Sequence, residues 1–179
     1  MGIWLSTNRT AKYAAAHPRI FVFNGVMEFN ANVTYDGSVA DAVKVLMSQE
    51  LADARAKALE ISDYAFESGE HTAVIRFAVK QHELPDVAKN FLRNGAKAAI
   101  KATLHPTQNK ISHEVKLQGI PASVSFDINV TEHAGKTRAE FTGEVQISIP
   151  LLGKKLENMV VGEVAGLLAE DAELVNALL

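Results

Sequence analysis

From residue 27 apolar and polar side chains alternate. Met27, Phe29, Ala31, Val33 and Tyr35 are interleaved with Glu28, Asn30, Asn32 and Thr34, the period of two that marks a strand with one face in water. Asp36-Gly37 then turns the chain. Ser38, three residues before Asp41, is placed to cap a helix on which Val39, Val43 and Leu46 recur at helical spacing. A second short helix is expected over residues 49–59, alanine-rich and charged, with Leu51, Ala54, Ala58 and Leu59 to bury. The pair is expected to lie against a sheet edge.

Beyond Glu60 the pattern predicts strand after strand. Ala73 to Val79, Ala98 to Leu104, Ile111 to Leu117 and Val124 to Val130 each alternate, and Phe141, Val145, Ile147 and Ile149 continue the series. Gly69, Pro106, Gly119 to Pro121, and Ala134-Gly135-Lys136 punctuate them, so sequential hairpins with one apolar face, an antiparallel meander, are predicted. Residues 82–95 interrupt the series: Val87, Ala88, Phe91 and Leu92 fall at helical spacing before Asn94-Gly95. Such a turn is either a lid over a cavity or a plug at the end of the sheet. Pro150 closes the strands. From residue 151 to 178 Leu152, Leu156, Met159, Val160, Val164, Leu167, Leu174 and Leu178 form one broad stripe of a long helix. That stripe needs a partner, and the inner face of the meander is the apolar surface of matching size. The predicted fold is therefore α+β, a helix-grip arrangement in which a curved antiparallel sheet wraps a long C-terminal helix, with two short helices after the first strand. Residues 1–25 lack this periodicity and are expected to be an N-terminal extension preceding a domain over 26–179, so that a chain begun at Met27 is expected to keep its stability.

Composition narrows the function. The chain has 179 residues, 47% hydrophobic and 22% charged, the balance of a single globular domain. It contains no cysteine, which removes disulfides, thiolate chemistry and cysteine-held metals. A net charge of −3 gives no electrostatic reason to bind nucleic acid. No run approaches the roughly 20 apolar residues of a membrane span, so stable membrane insertion is not expected and a cytoplasmic setting is. The histidines show no ligand spacing, and there is neither a phosphate loop nor a nucleophile elbow; no metal or cofactor is expected.

The strand through Val145 and Ile147 runs through Ile149-Pro150-Leu151-Leu152-Gly153-Lys154-Lys155-Leu156-Glu157 into the last helix, and Gly119-Ile120-Pro121 precedes a strand. In these segments and in its order of elements the chain resembles the START-like superfamily, which includes birch-pollen-allergen-type, polyketide-cyclase-type and lipid-transfer proteins. It is similar to an uncharacterised actinobacterial branch of that superfamily. The resemblance implies the fold and a cavity for a hydrophobic ligand, and supplies no catalytic residues.

The pattern itself nominates the cavity lining. Val115, Leu117, Phe126, Ile128, Phe141 and Val145 face inward on neighbouring strands, and Leu156, Val160 and Leu167 lie opposite them on the helix stripe. Two polar residues share that interior. His113 sits in the apolar phase of its strand and Glu163 within the apolar stripe of the helix; they are either satisfied core groups or, if they meet, a polar anchor or acid/base pair. Glu170 also falls in the stripe. Gly162 and Gly166 share one side of the helix, either for close packing or to leave room for a ligand. The expected function is binding or carriage of a hydrophobic small molecule or lipid. The alternative is a cyclase- or hydratase-like enzyme acting in the same cavity, and a third reading has the cavity filled and the surface at work.

Overall fold

The alternation in residues 26–35 is realised as a strand because every second side chain has an apolar interior to enter. Met27, Phe29, Ala31, Val33 and Tyr35 are all buried. The structure, a computed structural model, describes residues 19–23, 26–81, 95–119, 121–148 and 153–179, with the backbone alone at 19–23, 153–163 and 165. Its strands are β1 (Arg19–Phe23), β2 (Val26–Tyr35), β3 (Tyr64–Ser68), β4 (Thr72–Val79), β5 (Ala96–His105), β6 (Lys110–Gln118), β7 (Ala122–His133) and β8 (Lys136–Ile147). The helices are α1 (Val39–Leu46), α2 (Gln49–Ala58) and α3 (Gly153–Asn176), with a 3₁₀ turn at Pro106–Gln108.

All neighbours pair antiparallel in one sheet of order β1-β2-β8-β7-β6-β5-β4-β3. The meander runs from β3 to β8, and β2 adds to its far side. The α1–α2 pair therefore carries the chain from one side of the sheet to the opposite edge. The β7–β8 hairpin turns at Ala134 and Gly135, whose φ values of 52° and 76° are the paired positive angles that match the twist of the flanking strands. Ser38 and Ser48 cap α1 and α2, their hydroxyls accepting from the amides of Asp41 and Leu51. Helix α3 packs on β2 and β8, with Val175 fully buried near its end. This is the helix-grip arrangement expected from the pattern.

Two details differ from the sequence reading and one adds to it. Part of the stretch taken as an extension is a strand: β1 pairs with β2, Ile20 opposite Phe29 and Val22 opposite Met27. Helix α2 buries Leu51, Ala52 and Ala56, whereas Ala58 and Leu59 are exposed. The helix is rotated so that the row four residues apart, from Ala52 to Ala56, meets the interior. The last strand stops at Ile147 and the last helix starts at Gly153; Ile149 and Pro150 lie outside the described residues, as does the interruption at residues 82–94. Among the described residues no helix is long and apolar enough to cross a membrane.

Candidate functional site

One row of inward-facing residues crosses six strands. Phe29 is opposite Gly143, Gly143 opposite Phe126, Phe126 opposite His113, His113 opposite Ala102, and Ala102 opposite Ala73. Rings and very small side chains share this row. A Cβ at Gly143 would stand 2.6 Å from Phe29 Cζ and 2.5 Å from Phe126 Cβ, so only glycine lets the two rings lie over that strand. His113 stacks on Phe126 with centroids 4.3 Å apart and planes 6° from parallel. Phe141 and Phe29 flank the stack, each 6.5 Å from Phe126.

Where the row falls to Ala102 and Ala73, the sheet face is low. Above it α2 presents Ala52 and Ala56, which are also small. The result is a cavity of about 300 Å³, at the lower end of the roughly 300–1,000 Å³ of small-molecule sites. Ile75, Phe77, Ile100 and Ile128 complete the sheet side; Leu168 and Leu174 of α3 form part of the opposite wall. Leu59 and Leu167 line the cavity too, yet are 37% and 40% exposed. Two large apolar side chains facing both cavity and solvent mark its mouth, between the end of α2 and the middle of α3.

The lining is mostly apolar, with Ser48, Tyr64 and Glu170 among its polar members and one charged pair. Arg55 of α2 and Asp171 of α3 meet fork to fork, Nε donating to Oδ1 at 2.6 Å and Nη2 to Oδ2 at 2.7 Å. The side chains are 29% and 18% exposed. Burial disfavours the charged guanidinium, but the bond to Asp171 and its negative charge hold the pKa above the ordinary value. His113, 7% exposed, lines the same cavity. Burial, and then the positive charge of Arg55, push its imidazole down to about 4, so it is neutral at neutral pH. Its Nδ1 has no hydrogen-bond partner, and neither does the hydroxyl of Tyr35. Burial, then Asp171, drive the Tyr35 phenol well above its usual range. At the outer end Tyr64 donates to Asp53.

The expected lining residues divide. Phe126, Ile128, Phe141 and Leu167 line this cavity. Val115, Leu117 and Val145 are not among its lining residues: Val145 is buried in the core, and Leu117 borders a groove shared with Ala98 and Lys116. On β4 and β5 the lining continues past the Ala73–Ala102–His113 row to Ile75, Phe77 and Ile100, whereas on β6 it stops at His113, so Val115, opposite Ile100, falls outside it. Leu156, Val160 and Glu163 lie on α3 where the side chains are outside the described residues, and Gly162 likewise. His113 shares the cavity lining with Arg55 and Asp171, and Glu170 lines it too; the expected meeting of His113 with Glu163 falls on a side chain outside the described residues. Gly166 is exposed and a Cβ there would meet nothing within 4 Å.

Arg55 and Asp171 went unnoticed in the sequence, although a signal was present. Arg55 stands four residues from both Leu51 and Leu59, and Asp171 four from Leu167 and three from Leu174. Each is thus a charge on a helix's apolar stripe, the same reasoning that singled out Glu163.

A family model described as a protein of unknown function, DUF2505, matches residues 30–179. No curated protein matches the sequence. Among solved structures, the fold is shared with the Zhui aromatase/cyclase from a Streptomyces species at 15% identity, covering 85% of this chain and 92% of that one with a TM-score of 0.58. It is shared with a START superfamily protein from Mycobacterium smegmatis at 11% identity, 82% and 94% coverage and a TM-score of 0.55. Norcoclaurine synthase from Thalictrum flavum matches at 14% identity, 87% and 97% coverage and a TM-score of 0.60. These similarities establish the START-like helix-grip fold.

Proposed function

Because this chain belongs to DUF2505, a family of proteins of unknown function, its role has to be read from its own cavity, and we propose that it binds and carries a hydrophobic small molecule or single lipid between the sheet and helices α2 and α3. The observation that supports this reading is the cavity of about 300 Å³, walled by aliphatic and aromatic side chains and open between Leu59 and Leu167. The START-like fold of the cyclase and START-superfamily structures agrees with it at the coarse level of a hydrophobic ligand. The reading places the carrier in the cytoplasm.

The polar lining residues support a second reading, a cyclase- or hydratase-like enzyme. Proton transfer is most effective when the pKa of the acting group lies near the working pH. His113 at about 4 is a weak base, and Arg55 and Asp171 are committed to each other. Carriage is therefore the better supported of the two.

Native mass spectrometry of protein purified from its own host tests the reading, with a bound apolar molecule as the expected result. In parallel the neutral dye N-phenyl-1-naphthylamine should bind. Ala102→Leu, which raises the floor of the cavity, should abolish dye binding while the circular dichroism stays intact, at an overpacking cost of about 1–3 kcal/mol. A wild type that binds neither dye nor a host molecule would assign the protein a surface role.

A further inference from the structure

Four residues of the cavity wall are also open to solvent: Ala58, Leu59, Leu167 and Glu170. Facing both ways, they rim the mouth, and of the four Glu170 alone carries a charge. It stands one helical turn beyond Leu167, so the two share a face of α3. Among the lining residues described, Arg55 and Asp171 cancel one another through two parallel hydrogen bonds. Glu170 is left over, with no ion pair or hydrogen bond to a described residue. An apolar interior whose charges cancel, with a negative group at its opening, suits a ligand of matching polarity. Resting on the carrier reading above, we infer that the ligand is a compact amine, whose apolar body fills the cavity and whose protonated nitrogen stays at the mouth beside the carboxylate of Glu170.

The surroundings of the mouth carry the same sign. The segment that leaves α2 passes the lining residues Leu59, Ile61 and Tyr64 and bears Glu60 and Asp63 between them. Asp53 holds the hydroxyl of Tyr64, and Lys57 stands against these acids. Acids outnumber bases along a cleft with low-dielectric walls, which focuses a negative field there. A cation at the mouth gains from that field without leaving water. Carried inward to the wall of Ile75, Ile100 and Ile128, the same charge would be buried uncompensated, so the nitrogen belongs at the outer end. A carboxylate ligand is repelled at the mouth and, deeper in, would have to displace Asp171 from the Arg55 guanidinium. Size limits the apolar body. About 300 Å³ is the space of roughly ten water molecules at about 30 Å³ each, enough for two fused rings and short of a two-chain lipid.

Three probes of one shape separate the terms: 2-naphthylmethylamine, 2-naphthalenemethanol and 2-naphthoate, titrated calorimetrically at pH 7 in low salt. The amine should bind wild type about tenfold more tightly than the carboxylate, with the alcohol between, since one part-solvated carboxylate attracts the first ion and repels the other. Glu170→Gln changes an exposed side chain to one of similar helix propensity. It should narrow the gap between the two ions to about threefold or less while the alcohol keeps its affinity. Glu144→Gln removes the same charge at an exposed position next to the buried Val145, on the opposite face of the sheet, and should leave the tenfold gap intact. In wild type alone, about 0.5 M salt should shrink the gap. Naphthoate bound as tightly as the amine, a gap that survives Glu170→Gln or high salt, or one lost equally in Glu144→Gln overturns the inference and leaves carriage standing. Failure of all three probes to bind wild type overturns both.

Discussion

His113 couples the cavity to pH. Its imidazole titrates at about 4 in the fold against 6.5 for an unperturbed histidine. Burial and Arg55 lower it, while a backbone hydrogen bond at Ile111 and then the charges of Asp171 and Asp127 pull the other way. Between these values the unfolded chain holds the proton and the folded one does not, so stability falls as pH drops from 6.5 towards 4. Above 6.5 the residue is neutral in both states and contributes nothing to the slope. The gap corresponds to roughly 3 kcal/mol at its full extent. Urea unfolding of wild type and His113→Phe at pH 7 and pH 4.5 should show the variant losing less stability across that interval; equal losses would show that the imidazole finds a proton-stabilising partner. Tyr35 makes a complementary case. Its hydroxyl is buried and without a partner, so Tyr35→Phe removes a group that is already unsatisfied. The variant should be about 1 kcal/mol more stable, seen as a rise of roughly 2–4 °C in Tm. A fall would mean that the hydroxyl is held through a bridging water to Asp171.

At the scale of elements, the Arg55–Asp171 fork ties α2 to α3 at the polar side of the cavity. Breaking a fully buried pair from one side costs about 3–5 kcal/mol; here 29% and 18% of the side chains reach solvent, and screening reduces the loss. Asp171→Asn should therefore cost about 2 kcal/mol in denaturant unfolding, and Arg55→Met with Asp171→Leu should cost less than the single change, because no charge is left alone. A larger loss in the pair than in the single variant would show that the fork is a net source of stability. The elements themselves were legible because each carries its period on its surface: β2 through five alternating buried residues, α3 through its stripe, α1 through Ser38. The strand β1 was not legible, since Arg19–Phe23 is a short run without polar alternation. Nor was the exact position of the cavity. Alternation states which face a residue occupies and does not state at which level along the strand neighbouring side chains become small, as they do at Ala73, Ala102, Ala52 and Ala56. Nor does it state on which strand the lining stops: Ile100 and Phe77 line the cavity, while Val115 and Leu117 at the same levels on β6 do not.

For the whole molecule the test is where the domain begins. The family match starts at residue 30, while β1 lies ahead of it and covers the outer edge of β2 along five paired positions. A chain begun at Met27 should fold, bind the apolar dye as the full chain does, and lose no more than about 1 kcal/mol, or roughly 2–4 °C in Tm. It would also present the long edge of β2 to other molecules, and light scattering should show greater self-association. A collapse of Tm by much more than this would place residues 1–25 within the cooperative unit.

The anchoring of the last helix on the first long strand bears on how the protein is made. The amide of Asp36 donates to Asn176 Oδ1, 140 residues later, and Val175 beside it is wholly enclosed. A ribosome adding about 5–20 residues per second reaches Asn176 roughly 7–28 s after it has finished the strand that Asn176 will lock. Through that interval the emerging sheet has its apolar face uncovered, long enough for chaperones to sample it, and a slow codon late in the message would lengthen that exposure more than the same codon early on.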